Sequence, residues 1–279
     1  MSFFYSLKRS HIMIKMIALD LDNTLLNSAK EISDENVSTL QKLHKKGIAV
    51  VLCTGRPINA VWPYVKQLGL TEENDYTITF NGGMVIRNHD QKVLNQKGLT
   101  LADFSLIHQY AFDNDLPLDI LDFEKVYELT DLVKSTYKEV LNSPLEFVPI
   151  DFKELENKPY SKAIMSEQIA ALDNARANFP AEITDHYKIV RSQPKIMEFL
   201  PLNMSKAYGL NILLKHLGLD FSNLMAFGDA ENDYEMIEAA NVGVAMGNAS
   251  DEIKEIATDV TVDHDDDGVA VFLHKYFNE

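Results

Sequence analysis

A single cysteine, Cys53, rules out an internal disulfide and gives no reason to place the chain in an oxidising compartment. Basic residues are also scarce. The sequence has 26 Lys and Arg against 42 Asp and Glu, a formal charge of −16 at pH 7. Such a chain lacks the positive field that nucleic acids and anionic membranes require. A small phosphorylated molecule could still bind if positive charge were concentrated locally. No stretch approaches the roughly 18 consecutive apolar residues of a membrane span. Near the start, Phe3, Phe4, Tyr5 and Leu7 are followed at once by Lys8, Arg9 and His11, so no signal-peptide core forms. The expected location is cytoplasmic. Internal repeats and low-complexity segments are missing as well.

What is present suffices for a large core, with 46% hydrophobic and 24% charged residues over 279 positions. Met13 and Met16 stand directly before the first expected strand, so residues 1–15 read as an extension or an ambiguity of the start site, without assigned function. Met16–Leu21 reads as a buried strand. Asp34–Lys46 carries Val37, Leu40 and Leu43 at helical spacing and ends at Gly47. A strand at Ile48–Cys53, a helix around Val61–Leu68 and a strand around Tyr76–Phe80 follow, the last stopping at Asn81-Gly82-Gly83. This alternation predicts a parallel sheet with helices on both faces.

Beyond Gly83 the texture becomes polar, with short strands such as Lys162–Ser166 and helices such as Glu167–Asn178, and no motif of catalytic type. From Ile196 the first texture returns: a helix at Lys206–Leu217, a strand at Leu224–Phe227, a helix at Tyr234–Ala240 and a strand at Val242–Met246. The expected organisation is a Rossmann-like α/β core made of residues 1–83 and 197–279, with an α+β domain inserted as residues 84–196.

Acids and phosphate-type turns stand at the ends of the apolar strands. In Ile17-Ala18-Leu19-Asp20-Leu21-Asp22-Asn23-Thr24, two carboxylates follow a buried run where unpaired charge is costly, so they call for a cation. Ligands of open parallel sheets bind beyond these carboxyl ends, and alternation along an extended strand points Asp20 and Asp22 the same way. Cys53-Thr54-Gly55-Arg56 ends the next strand. Its hydroxyl and the uncrowded Gly55 backbone suit a phosphate, although a Thr-Gly turn is also an ordinary helix cap. Lys206 opens a helix, where a cation opposes the helix dipole unless an anion binds. Gly228-Asp229-Ala230-Glu231-Asn232-Asp233 ends a third strand. Asp229 is a candidate metal ligand, Asn232 a candidate phosphate contact, and Asp233 caps the helix or orders metal-bound water.

Asp263-His264-Asp265-Asp266-Asp267-Gly268 matches the first half of a calcium loop. The match then fails, because His274 stands where a bidentate Glu is required and Val269–Leu273 is apolar, so the segment reads as an acidic turn. Cys53 reads as a buried strand residue, since nothing near it in sequence would activate it.

Together, Asp20-x-Asp22-x-Thr24, Thr54-Gly55-Arg56, Lys206 and Gly228-Asp229-x-x-Asn232-Asp233 resemble the four motifs of the haloacid dehalogenase superfamily. With Asn81-Gly82 and Val244-Ala245-Met246-Gly247-Asn248-Ala249, the chain is similar to Cof-type sugar phosphatases with an α/β cap, from about Met16 to the C-terminus. Asn23 departs from the glycine more common in the family. Asn tolerates strained turns, so little consequence is expected.

The resemblance implies a phosphatase for a small phosphate ester in which Asp20 is the nucleophile and Asp22 the acid/base. It also implies Mg2+ held by Asp20, the main-chain carbonyl of Asp22 and Asp229, and phosphate held by Thr54, Gly55, Lys206 and Asn232. The insertion would recognise the organic part of the substrate, with Arg191, Ser192 and Glu198 as candidate contacts. Four other readings are a phosphomutase, a phosphatase for pyridoxal phosphate or flavin mononucleotide, a receiver-type switch, and an inactive sugar-binding protein. The long insertion and Asp22 argue against the switch, and the complete motif set against the inactive protein. Oligomeric state is not legible.

Overall fold

The computed structural model describes residues 13–140 and 145–278. The extension read at residues 1–15 therefore lies largely outside the described residues. Strand β1 (Met16–Leu19) is wholly buried, as expected of a strand covered on both faces rather than one. Helix α1 (Asp34–Lys45) starts at Ser33, whose side chain accepts from the Asn36 N–H, and packs Leu40 and Leu43 onto the sheet. Strand β2 (Ala49–Cys53), helix α2 (Trp62–Leu68) and strand β3 (Tyr76–Thr79) follow in the predicted order.

After β3 the chain reverses instead of entering the insertion. Strands β4 (Met84–Arg87) and β5 (Val93–Gln96) run antiparallel along the edge of the same sheet, with Thr79 opposite Met84. The sequence reading places both in the insertion at 84–196. β5 is the half-exposed edge strand, and the polar turn at residues 88–92 before it imitates inserted sequence, whereas β4 is buried between β3 and β5. Gly82 makes the reversal possible: its φ is +95°, and a Cβ there would lie 2.0 Å from the Ser205 carbonyl oxygen.

The inserted layer contains helix α3 (Leu101–Asp113), strands β6 (Asp119–Leu121) and β7 (Lys125–Leu129), helix α4 (Tyr137–Val140), and strands β8 (Glu146–Ile150) and β9 (Lys162–Ser166). Helices α5 (Ile169–Ala177) and α6 (Ala181–Thr184) and strands β10 (Tyr187–Gln193) and β11 (Ile196–Pro201) complete it. These strands form a sheet in the order β10-β11-β9-β6-β7-β8. All of β11 pairs there, antiparallel to β9 and β10, so its residues 197–201 leave the core to which the sequence reading assigned them. A fully buried strand has the same apolar texture in either sheet.

The chain returns with α7 (Lys206–His216), β12 (Leu224–Gly228), α8 (Tyr234–Ala239), β13 (Val242–Ala245), α9 (Asp251–Ile256), β14 (Asp259–Val260) and α10 (Gly268–Phe277). The core sheet runs β14-β13-β12-β1-β2-β3-β4-β5, parallel from β14 to β3. This order brings the ends of β1, β2, β3 and β12 side by side at its centre.

Candidate active site

Asp20 follows the last residue of β1, and its backbone N–H donates to the Phe227 carbonyl of β12 at 3.1 Å. That bond sets Asp20 beside Gly228-Asp229. Carboxylate oxygens of Asp20, Asp229 and Asp233 lie within 4.8 Å of one another. The Lys206 ammonium, fully buried at the start of α7, bonds to the Asp20 carboxylate and, at 2.6 Å, to Asp233. Lys206 thus bonds two of the three carboxylates, which leaves a deficit of positive charge in a buried site. Burial, with repulsion from Asp233 and Asp229, pushes the Asp20 carboxyl well above the usual carboxylate range despite Lys206. Burial and Asp233 raise Asp229 to about 6. A divalent cation fits this oxygen-rich set and would relieve the repulsion.

Asp233 also accepts the N–H groups of Asp229 and Ala230 at 3.0 and 3.1 Å, which folds the loop back on itself. The fold leaves no room for a side chain at 228: a Cβ on Gly228 would meet the Asp233 carboxyl carbon at 2.5 Å. Thr24 donates to Asp229 at 2.9 Å. Thr54 is buried at the end of β2, and its hydroxyl accepts from the Arg56 N–H at 3.2 Å. Asn232 donates to the Asn81 side chain at 3.2 Å, and that side chain also packs against Gly55. Of the four predicted phosphate contacts, Lys206 touches the acids, and Asn81 joins Asn232 of the neighbouring loop to Gly55 at the end of β2.

Asp22 is the exception among the predicted residues. Its carboxylate does not join the acidic cluster, contrary to the expectation that alternation points it the same way as Asp20. Strand β1 ends at Leu19, so alternation no longer governs Asp22, which lies in the following turn. Arg56 donates to both of its oxygens, at 2.7 and 2.6 Å, and Lys30 to one at 3.1 Å. Burial opposes ionisation there, but Arg56 and Lys30 outweigh it and hold Asp22 below the ordinary value. Arg56 and Lys30 were not singled out from the sequence as partners of Asp22; the Arg after Thr54-Gly55 was the available signal.

The cap meets this site through Glu198 on β11. Glu198 accepts from Lys162 at 2.9 Å, from Ser192 at 2.9 Å and from Asn81 at 3.4 Å. Arg191, predicted beside Ser192, turns to the opposite face of the cap sheet, where it donates to the Gln193 and Pro194 carbonyls and pairs with Asp173. Lys188 with Glu235 seats the cap on α8, and Arg176 with Glu231 at 3.8 Å seats it on the loop that carries Asp229. Asp263, His264 and Asp265 form the expected acidic turn. Asp265 accepts from Ser28, and His264 lies against the Leu26 carbonyl.

Residues 17–273 match the family described as haloacid dehalogenase-like hydrolase. The chain belongs to that family. It is 32% identical over 97% of its length to the whole of a Bacillus subtilis (strain 168) protein, 99% covered, named 5-amino-6-(5-phospho-D-ribitylamino)uracil phosphatase YcsE. A second protein of that strain with the same activity in its name, YitU, is 29% identical over 94% of this chain and 98% of its own. A haloacid dehalogenase-like hydrolase from Bacteroides thetaiotaomicron superposes with a TM-score of 0.83 at 30% identity, covering 95% of this chain and all of the other. This haloacid dehalogenase-family protein is a phosphatase, a phosphoric monoester hydrolase, and its parallel core with an inserted cap is the fold of its structural relatives. Among the described residues no helix is long and apolar enough to cross a membrane.

Proposed function

We propose that the protein is a cytoplasmic, Mg2+-dependent phosphatase for a small sugar or polyol phosphate. The observation that carries the reading is the buried set of Asp20, Asp229 and Asp233 around one lysine at the ends of β1 and β12. In this reading the Asp20 carboxylate attacks phosphorus, the bond from phosphorus to the leaving oxygen breaks, and an aspartyl-phosphate forms. Asp22, having taken up a proton from solvent on release from Arg56, gives it to that oxygen and later takes one from the water that releases phosphate. To do so it must part from Arg56. The Thr54 hydroxyl, the Gly55 N–H, Lys206 and Asn232 hold the phosphoryl oxygens as charge builds on them. Asp233 positions the loop that carries Asp229.

The Asp20 carboxylate, the Asp22 main-chain carbonyl and the Asp229 carboxylate would hold Mg2+. When bound, the ion cancels repulsion between the carboxylate nucleophile and the anionic substrate. The chain's charge of −16 favours a small ester over a nucleic-acid substrate. The names of the relatives YcsE and YitU favour a phosphorylated polyol chain within the substrate class. The test is a panel of sugar phosphates, a phosphoribityl compound, pyridoxal phosphate, flavin mononucleotide and nucleotides, assayed for phosphate release with Mg2+ and with EDTA. Mg2+-dependent release from sugar or polyol phosphates supports the proposal. A bisphosphate requirement with no net phosphate release would instead make the protein a mutase.

A further inference from the structure

Asp119 is a buried carboxylate on β6, and among the described residues neither of its oxygens has a hydrogen-bond partner of ordinary geometry, although the Ser135 hydroxyl comes close enough to favour its ionised form. Burying such a group without donors costs several kcal/mol as a rule, so a fold that keeps one has left a bonding position open. Its neighbours show which way it faces. Ile120 packs among Phe104, Tyr160 and Phe199 under the cap helices. Asp119 and Leu121, one residue to either side, lie on the opposite face of the sheet, where Leu121 meets Tyr137, Ile164 and Ile196.

Strand register sets Asp119 beside Ile164, and Ile164 beside Glu198. Glu198 in turn reaches Asn81 and, through it, Asn232 of the phosphate site. The row from Asp119 to Glu198 therefore lies on the cap face that meets the catalytic loops. Tyr137 closes over this row. Burial raises its hydroxyl well above the usual phenol value, and the charges of both Glu198 and Asp119 add to the rise, so the hydroxyl lies within reach of both fields. Glu128 sits in register across from Asp119 on β7. Lys162, a cation of this face, is already bonded to Glu198.

We propose that Asp119 is a specificity-determining residue that accepts hydrogen bonds from hydroxyl or ammonium groups of the leaving group. The inference rests on the phosphatase reading above and narrows its substrate class. Asp119, Glu128 and Glu198 make this part of the cap face rich in acceptors, while Lys162 is taken up by Glu198 and Lys138 lies over the Phe147 ring. A leaving group that brings donors satisfies Asp119, whereas one that brings a second anion is repelled. A site built to bond a donor rejects an analogue that lacks it, because its own buried group is then left unpaired. Burial raises Asp119 to about 7 against the opposing Ser135 hydroxyl, with the charge of Glu128 adding to the rise.

The experiment compares kcat/KM of wild type, Asp119→Asn and Asp119→Ala on glucose 6-phosphate, glucosamine 6-phosphate and p-nitrophenyl phosphate, whose leaving group has no donor. The substitutions are expected to reduce the preference for the hexose phosphates over p-nitrophenyl phosphate by roughly 10- to 100-fold, the worth of a hydrogen bond to a charged group. Loss on the glucose ester assigns hydroxyl donors, and loss confined to the glucosamine ester assigns the ammonium. An unchanged preference, or a wild type that favours neither hexose phosphate, overturns the inference. Asp119→Asn keeps the shape of the site if Asp119→Ala does not fold. Asp20→Asn separates the two readings: if it abolishes p-nitrophenyl phosphate hydrolysis, the phosphatase mechanism stands whatever Asp119 does.

Discussion

Arg56 grips both carboxylate oxygens of Asp22, with Nε 2.7 Å from Oδ2 and Nη2 2.6 Å from Oδ1. A fork of this kind favours the ionised carboxylate, so the residue proposed to move protons is held in its unprotonated form. The lowered Asp22 value stabilises the fold above the unfolded value near 4, and that contribution is lost as pH falls through the folded value. Asp22 is partly exposed, which limits the effect to about 1 kcal/mol or less. Arg56→Ala should therefore destabilise the protein modestly at pH 7, with the difference from wild type shrinking below about pH 4. Urea titrations at pH 7 and pH 3.5 would show it; an equal difference at both would contradict the pairing.

Lys206 is the cation that buried Asp20 and Asp233 share. Replacing it with methionine keeps the apolar stem and strands two buried carboxylates. The expected loss is about 3–5 kcal/mol at neutral pH. The loss should shrink at pH 5, where the orphaned acids take up protons. Chemical denaturation at the two pH values measures this, and a variant as stable as wild type at pH 7 would refute the shared-cation account.

Asp229 is raised to about 6, so protons compete for the oxygens proposed to bind Mg2+. Affinity should fall between pH 8 and pH 5. At a concentration about 100 times Kd, the ion would add roughly 2.7 kcal/mol of stability, and Asp229→Asn should remove most of it. Thermal unfolding with and without Mg2+ gives both quantities. The same Mg2+ shift in wild type and Asp229→Asn would remove Asp229 from the ligand set.

Asp119 predicts a pH dependence of the opposite sign to Asp22. Its folded value, about 7, lies above the unfolded one, so the stability tied to it is complete below pH 4 and fades as pH rises through 7. In EDTA, Asp119→Asn should weaken the decline of stability between pH 5 and pH 8. Asp20 and Asp229 contribute to the same decline, so part of the slope stays. A slope equal to wild type would mean that Asp119 does not titrate as an unpartnered carboxylate.

Much of this arrangement was legible in the sequence because the parallel core writes its chemistry at strand ends. Asp20, Thr54 and Asp229 each follow an apolar run, and those runs are β1, β2 and β12. The buried position of Lys206 was less plain, since a lysine in a first helical turn is usually solvated. Edges and partners were harder. β5 and the polar turn before it look like inserted sequence because the edge of the sheet is half exposed, and they take the buried β4 with them; β11 looks like core because it is buried on both faces. The Asp22–Arg56 fork depends on where β1 stops, at Leu19, which alternation alone does not reveal. Asp119 has no motif, and only its burial and register in the cap sheet single it out.

The central claim is that Asp20 is the nucleophile. Phosphate release by purified Asp20→Asn, with saturating Mg2+ and the best substrate of the wild-type enzyme, tests it most directly. The side chain keeps its size and loses its charge, so the variant should fold and release phosphate at least about 1,000-fold more slowly, as expected when the group that forms the covalent intermediate is removed. A folded Asp20→Asn protein with turnover within about tenfold of wild type would contradict the mechanism.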